Sequence, residues 1–205
     1  MNAKTYTLFA GVNGAGKSTF YKLLDINFGI RVNVDEIVKD KFQHDWRNPS
    51  AQMQAGRIAV KILRECLQGN VSFNQETTLT GNTILTNINK AKAGGFIINL
   101  YYVGLESAEL SIERVAIRER AGGHGIPEED LRRRYINSFV NLKQALPLCD
   151  NVQIYDNSGR DPLNILNPLL VVRNRNLVLW NDSCPQYLMN VLQDYNRNLS
   201  EIASS

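Results

Sequence analysis

Cysteine is scarce. Cys66, Cys149 and Cys184 are the only three in 205 residues, and they are scattered along the chain. That excludes a disulfide framework and a cysteine-rich zinc site, and the expectation is three reduced thiols in a cytoplasmic protein. Long hydrophobic runs are also missing. The longest, Phe96 to Val103, is interrupted by Asn99, far short of the ~20 residues a membrane helix needs. No apolar stretch of signal-peptide length precedes Gly11, so no leader and no membrane partner are expected. Charge of one sign is absent as well: 23 Lys and Arg stand against 20 Asp and Glu, a formal net of +3. That balance gives no argument for a nucleic-acid partner. Internal repeats and low-complexity tracts are lacking. What remains is a chain of about one domain's length, 43% hydrophobic, enough for a packed core.

The apolar pattern alternates short β-rich runs with helical periodicity. Thr5–Ala10, Ile30–Val34, Val71–Gln75, Phe96–Val103 and Asn151–Tyr155 read as strands. Between them, Ala55, Ile58, Ala59, Ile62, Leu63 and Cys66 mark one face of a helix, with Gly69 as its C-cap. Residues 82–93 read as another helix, and Ser107 caps a third that runs to about Arg120. Repeated strand–helix alternation predicts an α/β, three-layer sandwich with a mostly parallel five-stranded sheet. Residues 1–160 are expected to form this core, including a helical lid over about 107–146. Residues 161–205 are expected to add a small hairpin, with Arg173–Asn176 at its turn, and a final helix, packed on the same domain.

Gly11-Val-Asn13-Gly14-Ala15-Gly16-Lys17-Ser18 matches G-x-x-x-x-G-K-[ST] at every required position and lies between a strand and a helix. Glycines let backbone N–H groups turn toward phosphate oxygens, and the helix N-terminus adds partial positive charge. Lys17 is the expected clamp on the β- and γ-phosphates. Ser18 is the expected Mg²⁺ ligand, and Thr19 completes the cradle for ATP. A GTPase would pair a D-x-x-G switch with an N-K-x-D base reader, and that pair is not present. A small kinase fits better, since it needs this loop, a carboxylate near the second strand and an arginine-rich lid.

Asp35 follows the second strand, at the edge where a doubly wound sheet places its ligands. A carboxylate there can take the proton of an attacking hydroxyl, although Asp is also a favoured helix cap. Asn74 to Thr80 places a carboxylate, two amides and three hydroxyls at the same edge, a lining suited to a polyhydroxylated acceptor. Six arginines fall between residues 113 and 134, interleaved with five acids. Interleaving argues for a lid rather than a nucleic-acid stripe. Arg114 and Arg118, spaced i, i+4, share a helix face, whereas the consecutive Arg132, Arg133 and Arg134 must splay. A planar guanidinium suits neutralisation of transferring phosphate. Arg114, Arg118, Arg133 and Arg134 are therefore the catalytic candidates beside Lys17 and Asp35.

The ordered set Gly11–Thr19, Asn33-Val-Asp35-Glu, Glu76-Thr-Thr78-Leu, Ile112-Glu-Arg-Val115, Gly122-Gly-His124, Arg133-Arg-Tyr135, Asn141-Leu142 and Tyr155-Asp-Asn-Ser158 resembles the zeta toxin family of P-loop kinases, in its short bacterial branch. The resemblance implies Mg²⁺- and ATP-dependent phosphorylation of a nucleotide-sugar hydroxyl, with UDP-N-acetylglucosamine as the family's acceptor, and an antitoxin protein as a partner. It also implies Asp35 as base, Lys17 as phosphate clamp, Glu76 and Thr78 as acceptor-binding residues, and Arg114 as one lid arginine. The position of a second lid arginine falls near His124, where this chain has none, so Arg118, Arg133 and Arg134 are the replacements to consider. The rival readings are a polynucleotide or nucleoside kinase on the same scaffold, and a non-catalytic nucleotide-binding relative held by a partner.

Overall fold

A computed structural model describes residues 3–43, 48–159 and 167–203. Seven strands form one sheet in the order β2-β3-β1-β4-β5-β6-β7. The first five are parallel: β1 (Thr5–Ala10), β2 (Ile30–Val32), β3 (Phe73–Thr77), β4 (Ile97–Gly104) and β5 (Asn151–Asp156). The C-terminal hairpin, β6 (Pro168–Arg173) and β7 (Asn176–Trp180), continues the same sheet by antiparallel pairing of β6 with β5. Its tight turn has φ of 48° at Asn174 and 64° at Arg175. Positive φ at both central residues matches the natural twist of a hairpin.

Helices cover both sheet faces, which explains why the central strands are apolar nearly throughout. Tyr6, Leu8 and Ala10 of β1 enter one core with Ile98, Leu100 and Tyr102 of β4, closed by α3 (Pro49–Gly69), α4 (Asn82–Ala93), α6 (Glu128–Ala145) and α7 (Gln186–Ala203). Phe9 points the other way, as strand alternation requires. It packs with Phe20 of α1 (Lys17–Leu24), Tyr101, Val103 and Tyr155, and its ring lies 5.2 Å from the Tyr101 ring. This aromatic layer lies beneath the glycine-rich loop and gives it a rigid floor.

Three boundaries differ from the sequence reading. β2 stops at Val32 rather than Val34, so Asp35 lies in the first turn of α2 (Val34–Lys41) and not directly at the strand's end. Asn33 causes this, because its side-chain oxygen accepts from the Asp35 N–H at 3.0 Å and starts the helix early. β3 runs two residues later than expected, so Glu76 is inside it, paired in register with Phe9. α3 is capped at its C-terminus by Asn70, with φ of 55°, not by Gly69.

Candidate active site

Three P-loop features hold the backbone in shape. Gly11 has φ of 139°, and a Cβ there would sit 2.2 Å from the Val103 carbonyl oxygen of β4, so the first glycine is required by packing. Gly14 and Gly16 also have positive φ, 75° and 88°, and Gly16 is the residue from which α1 starts. Neighbouring elements brace the turn. Ser111 of α5 (Ala108–Arg120) donates to the Asn13 carbonyl at 2.7 Å, and Asn157, after β5, donates to the Ala15 carbonyl at 3.0 Å. Arg134 of α6 reaches the Asn13 side chain at 3.4 Å.

Lys17 is buried and donates to the Val12 carbonyl at 3.0 Å. Burial lowers its pKa from the ordinary lysine value. Glu76 and Asp35 oppose that shift, and Arg118 and Arg134 add to it. The Ser18 hydroxyl donates to Glu76 Oε1 at 2.7 Å. Glu76 Oε2 accepts from Arg31 at 2.6 Å and from Asn33 at 2.9 Å. Arg31 also donates to Glu36 and to the buried Asn74, and lies 3.7 Å over the Tyr21 ring. Glu76 is thus fixed from both oxygens, by the loop on one side and by the start of α2 on the other. Asn33 serves twice, capping α2 with its oxygen and holding Glu76 with its nitrogen, which leaves the Asp35 carboxylate out of the cap. Composition alone gave no sign of Arg31 or Asn33 as organisers of this corner.

Beyond β3 the chain turns at Leu79, whose φ is 58° and whose side chain is fully buried. A buried leucine held in the left-handed region is strained. Here the Thr77 hydroxyl accepts from the Leu79 N–H at 3.0 Å and supports the turn. As a result Thr78 and Thr80 stand side by side, with hydroxyl oxygens 2.9 Å apart, on the wall of the cleft.

The lid arginines separate into distinct settings. Arg132 pairs with Glu109 at 2.5 Å and Arg133 with Asp130 at 2.5 Å. Arg134 turns inward to Asn13, and Arg114 donates to the Gly159 carbonyl at 3.3 Å. Arg118 is the most constrained. Its guanidinium donates to the His124 carbonyl at 2.7 Å, and the Gly123 N–H donates back to the Arg118 carbonyl at 2.9 Å. A Cβ on Gly123 would lie 2.7 Å from Arg118 Cγ, and one on Gly125 would lie 2.3 Å from the Glu119 carboxylate. The Gly122–Gly125 segment therefore folds back on the last turn of α5 and holds Arg118. The Arg118 Nε–H is buried without a hydrogen-bond partner.

The site candidates converge on one cleft of about 1010 Å³. It brings together Asn13, Gly14, Gly16, Lys17, Ser18, Thr19, Asp35, Glu76, Thr78, Arg114, Arg118, Arg133 and Arg134. Gly11 and Ala15 lie beneath it, both buried or packed within the loop. Five cationic side chains face two carboxylates, a surplus that suits a polyanion. Gln75, one of the two amides expected at this edge, also lines the cleft, as do Gln52, Ile126 and Asn137, which sequence reasoning did not single out. Among the described residues, no helix is long and apolar enough to cross a membrane.

A parallel run of strands ordered 2-3-1-4-5, a glycine-rich loop at the carboxyl end of β1 and a two-helix lid define the P-loop kinase fold. The chain belongs to the zeta toxin family, whose model matches residues 2–181. An uncharacterized protein of Haemophilus influenzae is 33% identical over 128 residues, covering 62% of this chain and 89% of that one. Among solved structures, a chain of the PezAT chromosomal toxin–antitoxin system of Streptococcus pneumoniae aligns over 100% of this chain and 89% of its own. Its TM-score is 0.57 at 14% identity. A chain of the AvrRxo1-ORF1:-ORF2 complex with ATP aligns over 97% and 74%, with a TM-score of 0.63 at 13% identity. A chain of the Pnkp1/Rnl/Hen1 RNA repair complex aligns over 70% and 47%, with a TM-score of 0.54 at 18% identity.

Proposed function

We propose that this protein is an ATP-dependent kinase that transfers the γ-phosphate to a hydroxyl of a nucleotide sugar resembling UDP-N-acetylglucosamine. One observation carries the reading: a single cleft joins a braced P-loop, a carboxylate outside the helix cap and a fixed arginine to a hydroxyl-rich wall. At about 1010 Å³ it exceeds the usual ~300–1,000 Å³ range of small-molecule sites, room for a nucleotide and a second substrate together.

The residues fit the triphosphate. The buried Arg118 Nε–H lacks a protein partner, and an anionic oxygen would supply one. Lys17, held low by burial, gains a counter-charge from phosphate. Ser18 and Glu76, 2.7 Å apart, offer the hard oxygen donors that would hold Mg²⁺, and the ion would supply neutralisation of phosphate charge. Thr78 orients the acceptor. Asp35 takes the proton from its hydroxyl as the new oxygen–phosphorus bond forms and the bond to ADP breaks. Arg118 and Arg134, the cations felt at Lys17, neutralise the transferring group, with Arg114 and Arg133 at the rim. The likeness to a chain of the PezAT toxin–antitoxin system and to a chain of the two-protein AvrRxo1-ORF1:-ORF2 complex supports an antitoxin-like protein partner. The three buried free thiols support a cytoplasmic site of action.

The test is incubation with γ-labelled ATP and Mg²⁺ in the presence of UDP-N-acetylglucosamine or a 5′-hydroxyl RNA. Label on the nucleotide sugar is the expected result. Label on RNA alone would replace this reading with the polynucleotide-kinase one.

A further inference from the structure

The cleft has an annex. A second cavity of about 220 Å³ adjoins it, and Val34, Gln75, Thr77, Thr78 and Thr80 line both. The annex lies between α3 and the turn after β3, and no charged side chain lines it, whereas the main cleft carries five cations and two carboxylates. Phosphate belongs in the cleft, because an anion in the annex would lose water without gaining a counter-charge. Threonine hydroxyls and the Gln75 and Asn87 amides suit an uncharged group rich in donors and acceptors. The volume is below the usual range for whole small-molecule ligands, so it admits a ring-sized part of a molecule.

Helix α3 supplies the outer wall through positions four, three and four residues apart: Gln52, Gly56, Ala59 and Leu63. Such spacing keeps one face turned to the ligand. A Cβ on Gly56 would meet nothing within 4 Å, so this glycine leaves space rather than avoiding a clash. Gln52, one turn earlier, lines the main cleft, and its Nε2 is buried without a partner. Unpartnered buried donors are rare in native proteins and point to a ligand acceptor. Of the three such side-chain atoms among the described residues, two belong to Gln52 and Arg118, both on the cleft wall.

We propose that the acceptor enters lengthwise: its reacting hydroxyl lies in the main cleft, an uncharged ring bearing hydroxyl or amide groups fills the annex, and Gln52 donates to the acceptor at the threshold. This rests on the reading of the cleft as a kinase site for a hydroxylated acceptor. Gln52 and Gly56 then set which acceptors are admitted without touching ATP.

The test uses two uncharged probes, N-acetylglucosamine and uridine, with binding to the Mg²⁺–ATP-analogue complex measured by saturation-transfer NMR. The wild type is expected to bind at least one. Gly56→Leu, which fills the annex, should weaken that binding at least tenfold, while Gly56→Ala, which adds one methyl, should keep most of it. Gln52→Leu should weaken it severalfold. Affinity for the ATP analogue should be the same in all four proteins, which shows that the site is intact. Failure of both probes to bind, or equal binding by wild type and Gly56→Leu, overturns the annex. Phosphoryl transfer is not read here. A protein that binds a probe through the annex yet phosphorylates no nucleotide sugar would disprove the proposed function and leave the annex standing.

Discussion

Ser18 and Glu76 are joined across the gap between the start of α1 and the neighbouring parallel strand by a 2.7 Å hydrogen bond. β3, one of the two strands directly beside β1, brings the carboxylate there. The bond puts Glu76 next to the expected metal-ligating hydroxyl, and its second oxygen is taken by Arg31 and Asn33. On the proposed reading, a residue held this way organises the phosphate side of the cleft as well as facing the acceptor.

Glu76→Gln should therefore raise the Mg²⁺ concentration needed for half-maximal activity, and lower kcat by roughly 10²-fold, the scale of one lost electrostatic contact in a site. A Mg²⁺ titration of the variant checks it. A purely acceptor-binding glutamate would instead raise only the acceptor KM, with the Mg²⁺ curve unmoved.

Asn33 caps α2, which leaves Asp35 free for the proposed role of base. Asp35→Asn should keep the fold and nucleotide affinity and slow the chemical step by roughly 10²–10⁴-fold, because the amide cannot accept the hydroxyl proton. Asn33→Ala should cost about 1 kcal/mol of stability from the lost cap, seen as a lower urea midpoint. It should also reduce activity through the loosened Glu76. Full activity in Asp35→Asn would remove this residue from the chemistry.

Lys17 is buried, and burial lowers its pKa. The sign follows from proton counting. Where the unfolded chain holds its lysine proton and the folded chain has released it, stability rises with pH. Below the lowered folded value both states are protonated and the cost of burying the charge is complete. It fades as pH climbs toward the ordinary lysine value of 10.5. Lys17→Met should thus abolish phosphoryl transfer yet be more stable than the wild type without nucleotide at pH 7, and the gap should narrow as pH is raised above the folded value. Thermal melts across pH measure this. A variant less stable at pH 7 would show that the Glu76 and Asp35 attractions outweigh burial.

Much of this arrangement is legible in the sequence, for stated physical reasons. The P-loop has a fixed spacing, the buried strands are apolar runs, and Ser107 caps α5 as expected, accepting from the Leu110 N–H at 3.1 Å. Local chemistry decides these. The hairpin was legible as two strands and a turn, but its place as the sixth and seventh strands of the main sheet depends on pairing with β5, which is nonlocal. The roles of Arg31 and Asn157 were not legible, because Glu76 and Ala15, the groups they hold, lie far away in sequence. Asn157 is 142 residues from Ala15. The Gly-Gly-His-Gly segment was legible as a break, while its grip on Arg118 required the backbone path.

That grip separates the lid arginines. Arg118 is fixed by the His124 carbonyl and has a buried Nε–H without a protein partner; Arg134 is anchored to Asn13 at the P-loop. Arg133 is 67% exposed and paired with Asp130 within its own helix, the setting in which an ion pair contributes little. Arg118→Lys and Arg134→Lys should each lower kcat/KM by at least tenfold, since lysine cannot present a planar fork and is not held by the same contacts. Arg133→Lys should fall within about threefold of wild type, within the range of an exposed pair, and Arg114→Lys between these limits, because its guanidinium lines the cleft but leans on the Gly159 carbonyl. Gly123→Ala, which forces a methyl against the Arg118 stem, should reproduce much of the Arg118→Lys loss while leaving every charge in place. Steady-state kinetics of the five variants decide the matter. If Arg118→Lys and Gly123→Ala are both active at wild-type rate while Arg133→Lys is impaired, the loop is a mere connector and the rim arginine is the one that meets the phosphate.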